Sequence, residues 1–117
     1  EDERAVRVAA RRMLEREGFT VFEARHGADA LALWKNVGRR IDVVVTDMRM
    51  PEMGGAELVH QLRRELPKLP VVFMSGYSED DIGEFARNGD AAMTAFVEKP
   101  FTSERLLAAV STVMAHV

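Results

Sequence analysis

The run Val43-Val44-Val45-Thr46, followed by Asp47, constrains the fold more than any other part of the chain. Successive β-branched residues without polar alternation are typical of a strand covered on both faces, as in the centre of a parallel sheet. Asp47 then stands at the carboxyl end of that strand. Ligands of open α/β sheets bind outside this edge, so the run predicts a carboxylate at a functional rim. Pro51 and the pair Gly54-Gly55 predict a flexible turn after it.

Length and composition predict one domain, residues 1–117, with enough chain to bury a core. The chain has no cysteine, which excludes disulfides and thiolate metal sites and agrees with a reducing, cytoplasmic location. A net charge of -3 without a basic stripe argues against direct contact with nucleic acid. No apolar run reaches the roughly 20 residues of a membrane span, and no signal peptide opens the chain, so no membrane contact is expected.

Apolar periodicity predicts helices and strands in alternation. Expected strands are 19–24, 43–46, 71–74 and 95–97. Expected helices are 4–17, a second from Gly27 to about Gly38, a third ending before Pro67, a fourth from Ser78 to Asn88, and a last one capped by Thr102. This alternation predicts βα units and a doubly wound parallel sheet.

A βα fold should open with a strand, yet Glu1 stands directly before the first predicted helix. Either an upstream strand precedes these residues, so that 1–117 belong to a longer chain, or the sheet is completed in a way that the sequence does not show.

Polar residues stand where the strands end: Glu1 and Asp2 where an opening strand would stop, then Asp47, Ser75 and Lys99. A parallel sheet brings these positions to one rim. Crowded carboxylates repel one another unless a cation lies among them, and Mg²⁺ prefers such oxygen ligands and phosphate oxygens. The set therefore predicts magnesium-dependent phosphoryl chemistry.

The predicted roles follow from the needs of phosphoryl transfer, which are alignment and charge neutralisation. Asp47 is the candidate nucleophile that forms an acyl phosphate. Asp2, with Glu1, and the backbone carbonyl of Arg49 would join Asp47 in holding the metal. Lys99 and the Ser75 hydroxyl would contact phosphoryl oxygens.

The chain resembles the receiver domains of two-component response regulators. The motifs that carry the resemblance are Glu1-Asp2, Asp47 with Met50-Pro51, Ser75-Gly76, and Lys99-Pro100-Phe101. The runs 72–77 and 99–102 are most similar to receivers attached to hybrid sensor histidine kinases. The resemblance implies a flavodoxin-like, five-stranded parallel sheet of order 2-1-3-4-5, with the first strand missing from this sequence.

The same resemblance implies that Asp47 accepts phosphate from a phosphohistidine of a sensor histidine kinase or phosphotransfer domain. Ser75 and Phe96 would act as a switch pair, and the surface formed by the helix after Ser78, the last strand and the last helix would change its affinity for a downstream protein or attached domain. The Lys99-Pro100 bond is expected to be cis. The domain would catalyse only its own phosphorylation and dephosphorylation. The resemblance also allows a homodimer.

Three alternatives remain. An aspartyl-phosphate phosphohydrolase would need a second carboxylate two positions after the nucleophile, where this chain has Arg49. A flavodoxin-like cofactor binder would need a phosphate loop where Glu1 and Asp2 stand. A degenerate receiver that only binds partners is disfavoured because the acceptor-site residue types are present.

Overall fold

A computed structural model describes residues 3–48, 53–75 and 93–115, apart from the side chains of Glu3, Arg39 and Ser75. Its helices are α1 (Glu3–Arg16), α2 (Gly27–Val37), α3 (Gly55–Glu65) and α4 (Ser103–Met114). Its strands are β1 (Val44–Asp47), β2 (Val71–Ser75) and β3 (Thr94–Glu98), and a short 3₁₀ turn, Gly38–Arg40, follows α2. The predicted helix from Ser78 to Asn88 lies outside the described residues.

The three strands form a parallel sheet of order β1-β2-β3. Val45 lies opposite Val72 in the first pair, and Phe73 lies opposite Phe96 in the second. Val72 and Phe73 are fully buried, which confirms that the continuous apolar run is covered on both faces.

Alternate residues of β2 point into two separate cores, since side chains alternate across a strand. On one face Val72 and Met74 pack with residues of α1 and α4. These are Ala10, Leu14, Leu106, Val110 and Val113. On the other face Val71 and Phe73 pack with residues of α2 and α3, namely Trp34, Leu58, Val59 and Leu62. Helices on both faces confirm the doubly wound α/β architecture.

The predicted strand at 19–24 is wrong in the described part of the chain. These residues belong to no strand, and no strand of the described sheet pairs with them. A ladder needs a neighbour, and 19–24 are separated from β1 by an apolar groove of about 200 Å³. Among the described residues the sheet therefore has three strands, where the family resemblance implied five.

Local signals place the end of α1 and the start of α4 as expected, whereas the cap of α2 by His26 was not predicted. Thr102 caps α4, where its Oγ1 accepts a hydrogen bond from the Arg105 backbone N–H at 3.2 Å. Gly18 follows α1 with a φ of 92°, a left-handed conformation that suits glycine. His26 begins α2, since its Nδ1 accepts the Asp29 N–H at 3.2 Å. Among the helices in the described ranges, none is long and apolar enough to span a bilayer.

Candidate functional site

Asp47 is the last residue of β1 and lies at the carboxyl edge of the sheet, as predicted. Its side chain is 15% exposed, so the carboxylate is mostly buried yet reachable from outside. The residue before it, Thr46, is buried and donates its hydroxyl to the Asp47 carbonyl at 3.2 Å. Pairing with β2 and the hydrogen bond from Thr46 thus hold the backbone of Asp47 at the edge of the sheet.

Lys99 follows β3 and reaches across β2 to the same carboxylate. Its Nζ donates to Asp47 Oδ2 at 2.5 Å, and the Lys99 side chain is 18% exposed. The two residues are 52 positions apart in sequence. The structure therefore brings together two of the predicted site residues. The peptide bond between Lys99 and Pro100 is cis, as the family resemblance implied.

The pair Lys99 and Asp47 places opposite charges in a partly desolvated setting, where their attraction is stronger than at an open surface. An ammonium group beside the carboxylate also lowers the repulsion that an incoming phosphoryl group would meet. The arrangement can therefore hold an anion against a carboxylate oxygen.

Gly55 supports the site in a way that the sequence interpretation missed. It is buried at the start of α3, and its N–H donates to the Met48 carbonyl at 2.9 Å. A Cβ placed on Gly55 would lie 2.0 Å from the carbonyl oxygen of Asp47. Gly55 is thus required for close approach of two backbone segments, and the expected role in a flexible turn is corrected. A glycine directly before a helical stripe was the available signal.

Phe96, the predicted switch aromatic, is half-buried on β3. Its ring stacks on Phe73 of β2, with ring centroids 5.4 Å apart and an interplanar angle of 22°. Ser75 closes β2, which places its backbone at the same rim as Asp47, while its side chain lies outside the described part. Whether these two residues act together stays a prediction.

The other predicted metal ligands, Glu1, Asp2 and the Arg49 carbonyl, lie outside the described residues. Within the described ranges, no group of at least three histidine or acidic side chains could hold a metal ion. Asp47 is the described member of the predicted set. Its carboxylate oxygen, together with the carboxylate and carbonyl oxygens of the other three, is the donor chemistry that Mg²⁺ prefers.

Fold and site define a doubly wound α/β domain with a lysine-paired aspartate at the carboxyl edge of its sheet. Residues 1–111 match the family described as the response regulator receiver domain. The chain therefore belongs to that family. Receiver domains are regulatory phosphoacceptor domains of two-component signalling, and they work with histidine kinases or phosphotransfer partners.

The curated relatives that this chain matches are longer proteins, of which the match covers one part. The chain is 42% identical over 115 residues to "Sensor kinase CckA" of Brucella abortus, covering 97% of this chain and 12% of that protein. It is 38% identical over 108 residues to "Response regulator MprA" of a Mycobacterium species, covering 92% of this chain and 45% of that protein. The chain thus spans less than half the length of both relatives. The similarity to a sensor kinase agrees with the expected likeness to kinase-attached receivers.

Solved structures confirm the fold class. The receiver domain of NtrX from Brucella abortus superposes with a TM-score of 0.86 at 26% identity, covering 100% of this chain and 96% of that one. A response regulator receiver protein from Sinorhizobium medicae gives a TM-score of 0.82 at 34% identity, covering 98% and 90%. The flavodoxin-like fold predicted from the sequence is therefore the fold of this chain.

Proposed function

We propose that this domain is a signalling switch in which Asp47 accepts a phosphoryl group from a phosphohistidine on a sensor histidine kinase or phosphotransfer domain. The observation that carries the proposal is the contact between Lys99 Nζ and Asp47 Oδ2 at the carboxyl edge. Family membership supplies the reaction class, and the contact supports Asp47 and Lys99 as the residues that carry it.

In the proposed reaction, a carboxylate oxygen of Asp47 attacks phosphorus while the phosphorus–nitrogen bond of phosphohistidine breaks. The bonding electrons stay on the imidazole nitrogen, which takes a proton, and the product is an aspartyl phosphate. The Lys99 ammonium offsets negative charge on the phosphoryl oxygens, and the Ser75 hydroxyl would donate to one of them. Later hydrolysis of the aspartyl phosphate releases inorganic phosphate and restores the Asp47 carboxylate.

Magnesium fits the proposed oxygen donors, as described above. Asp47, Asp2 with Glu1, and the Arg49 carbonyl would hold the ion. When bound, Mg²⁺ supplies neutralisation of the charge that gathers on phosphoryl and carboxylate oxygens.

The proposed output is a change in partner affinity at the surface built from α4, β3 and residues 78–88. Ser75 would move toward the phosphoryl group, and Phe96 would follow by changing its packing. Moving the half-buried ring of Phe96 would break its stack on Phe73, a contact worth about 0.5–1.5 kcal/mol, so the switch would have to offset that loss. The partner whose binding changes would be an attached domain or a separate downstream protein.

Acetyl phosphate with MgCl₂ tests the acceptor assignment. We expect the intact mass of the wild-type chain to rise by one phosphoryl group, and Asp47→Asn to remove that product. Asp42→Asn is the matched control, because Asp42 is an exposed carboxylate shortly before β1, and it should be phosphorylated like wild type.

An unmodified mass for a wild-type chain with a native circular dichroism spectrum would contradict the proposal. So would a product that persists in Asp47→Asn. Steady release of phosphate from p-nitrophenyl phosphate by the same preparation would instead favour the phosphohydrolase alternative.

A further inference from the structure

Met53, which lies between β1 and α3, has a sulfur atom that contacts two helices. A Cβ built on Gly27, the buried first residue of α2, would lie 2.9 Å from Met53 Sδ and 2.9 Å from Met53 Cβ. On α3, the side-chain amide of Gln61 donates from Nε2 toward the same sulfur at 4.0 Å. The thioether thus joins the start of α2 to α3, and phosphoryl chemistry explains neither contact.

The exposure of Met53 distinguishes it from the methionines of the core. Met53 is half-buried, so part of its surface meets solvent, whereas Met74 and Met93 are only 7% and 5% exposed. Oxidants convert an accessible methionine thioether into a polar sulfoxide, and dedicated reductases reverse the change. A dissolved oxidant should therefore modify Met53 before it modifies Met74 and Met93.

The two contacts leave unequal room around the sulfur. Toward Gly27 even a Cβ would lie at 2.9 Å from Sδ, so no oxygen fits between the sulfur and this residue. Toward Gln61 the amide nitrogen is 4.0 Å from the sulfur, and an oxygen added on that side would come within hydrogen-bonding distance of it. A thioether accepts only weakly, so the amide gains a better acceptor on oxidation. Because a sulfoxide is chiral at sulfur, this unequal access favours one epimer.

We propose that Met53 is an oxidation site for hydroperoxides, at which the sulfoxide forms mainly as one epimer and is held by the Gln61 amide. In this step a sulfur lone pair attacks the outer peroxide oxygen and the oxygen–oxygen bond breaks. The proton of the transferred hydroxyl passes to the departing oxygen, which leaves as water or as an alcohol. The sulfur is oxidised by two electrons, and the peroxide is reduced by the same two.

The modification would reach the acceptor through packing and backbone. The Met53 side chain packs against the core that contains Trp34, where a polar sulfoxide is unfavourable, so oxidation would loosen its contact with Gly27. Gly55, two positions further on, packs its backbone against the Asp47 carbonyl. Oxidation should therefore slow the labelling of Asp47. This consequence rests on the proposed function, whereas the oxidation site itself does not.

Limited treatment of the folded chain with hydrogen peroxide tests the site. Fragment-ion mass spectrometry assigns the added oxygen to individual methionines, and Met53 should be modified before Met74 and Met93. The oxidised chain is then unfolded, digested and divided between the two methionine sulfoxide reductases, each of which acts on one epimer. We expect one epimer of Met53 sulfoxide to exceed the other by about fivefold, the factor given by one hydrogen bond of ordinary strength. A chain oxidised in urea should give nearly equal amounts.

Two variants separate the parts of the proposal. Gln61→Glu keeps the shape of the side chain but replaces the amide donor by a carboxylate, so the epimer ratio of Met53 sulfoxide should fall toward one. Glu57→Gln, at an exposed position on the same helix, is its control and should keep the wild-type ratio. Met53→Leu keeps the volume without the sulfur. Before treatment it should be labelled by acetyl phosphate like wild type, and after peroxide it should be labelled faster than the oxidised wild type.

Several results would overturn the proposal. Equal epimers in the folded chain, or oxidation of Met53 no sooner than of Met74 and Met93, would remove the site. An unchanged epimer ratio in Gln61→Glu would show that the amide does not hold the sulfoxide. Equal loss of labelling in wild type and Met53→Leu would overturn the effect on Asp47. If the untreated wild type is never labelled, the proposed function fails, while the epimer ratio still decides on the oxidation site.

Discussion

The two segments that lie on either side of β1, namely β2 and residues 19–24, both contain apolar and β-branched residues, yet they differ sharply in structure. On one side, β2 forms a full parallel ladder, and Val71, Val72 and Phe73 are 0% exposed. On the other side, residues 19–24 have apolar and β-branched members but form no ladder in the described chain, and Phe22 is 43% exposed. Whether a segment forms a strand thus depends on a hydrogen-bonding neighbour as much as on its own residues.

The difference also concerns what holds each side. The β2 side is stabilised by backbone hydrogen bonds and by two apolar cores. On the 19–24 side, Phe19 and Val21 pack only partly buried against one of these cores, and Glu23 adds ion pairs to α1, accepting from Arg7 Nε at 2.8 Å and from an Arg11 terminal nitrogen at 2.7 Å. Apolar burial weakens little with pH, whereas ion pairs depend on it, so the two sides should respond differently to mutation and acid.

The largest expected effect separates two phenylalanines. Phe73→Ala removes a fully buried ring from β2 and should lower the free energy of unfolding by about 3–5 kcal/mol. Phe22→Ala removes a ring that is 43% exposed and should cost less than about 1 kcal/mol. Urea unfolding followed by circular dichroism measures both. Equal costs would mean that residues 19–24 are packed as tightly as β2.

A smaller effect is expected where β1 ends. Gly55→Ser should lower the free energy of unfolding by about 1–3 kcal/mol, because its Cβ would meet the Asp47 carbonyl and force the backbone to shift. Gly54→Ser is the control, since Gly54 is the N-cap of α3 with an ordinary φ of -70°, where serine is favoured. It should change stability by less than about 0.5 kcal/mol.

The same pair of variants reports on the site. Because the Gly55 substitution displaces the backbone of the proposed acceptor, acetyl phosphate should label Gly55→Ser more slowly than Gly54→Ser under conditions where both are folded. Equal labelling and equal stability would show that the close contact at Gly55 is not needed.

The smallest effect concerns acid sensitivity of the 19–24 side. The hydrogen bond from Arg7, reinforced by Arg11, lowers the pKa of Glu23 below its ordinary value of 4.5. A lowered pKa means that the ion pair stabilises the fold above about pH 4.5 and that this stabilisation is lost as the pH falls through the folded value. The contribution should be below about 1 kcal/mol, since the side chains remain partly exposed.

Thermal unfolding of wild type and Glu23→Gln at pH 7 and at pH 3 measures the stabilisation that the Glu23 ion pair contributes. The variant should be less stable than wild type at pH 7, and the gap should narrow at pH 3. Glu17→Gln, at an exposed position just after α1, is the control and should show no such narrowing. A gap that stays constant with pH would mean that Glu23 acts by packing and not by charge.

Much of the fold could be predicted from local patterns. The apolar stripes of α1 and α3, the cap at Thr102 and the buried run of β2 depend on residues close in sequence, and each is confirmed. The convergence of Asp47 and Lys99 was also predictable, because both follow strands of one parallel sheet. Gly55 was misjudged since its importance comes from a backbone carbonyl eight positions away, which periodicity cannot reveal.

The sequence by itself determined the order of helices and strands, the burial of the sheet on both faces, and which side chains stand where strands end. These properties follow from periodicity and residue chemistry over short stretches. Only the tertiary structure decided that Lys99 Nζ meets Asp47 Oδ2, that Gly55 must lack a side chain, and that 19–24 form no ladder with β1. Each of these depends on which atoms lie side by side across distant parts of the chain, and hydrogen bonds, charges and steric contacts act only at that range.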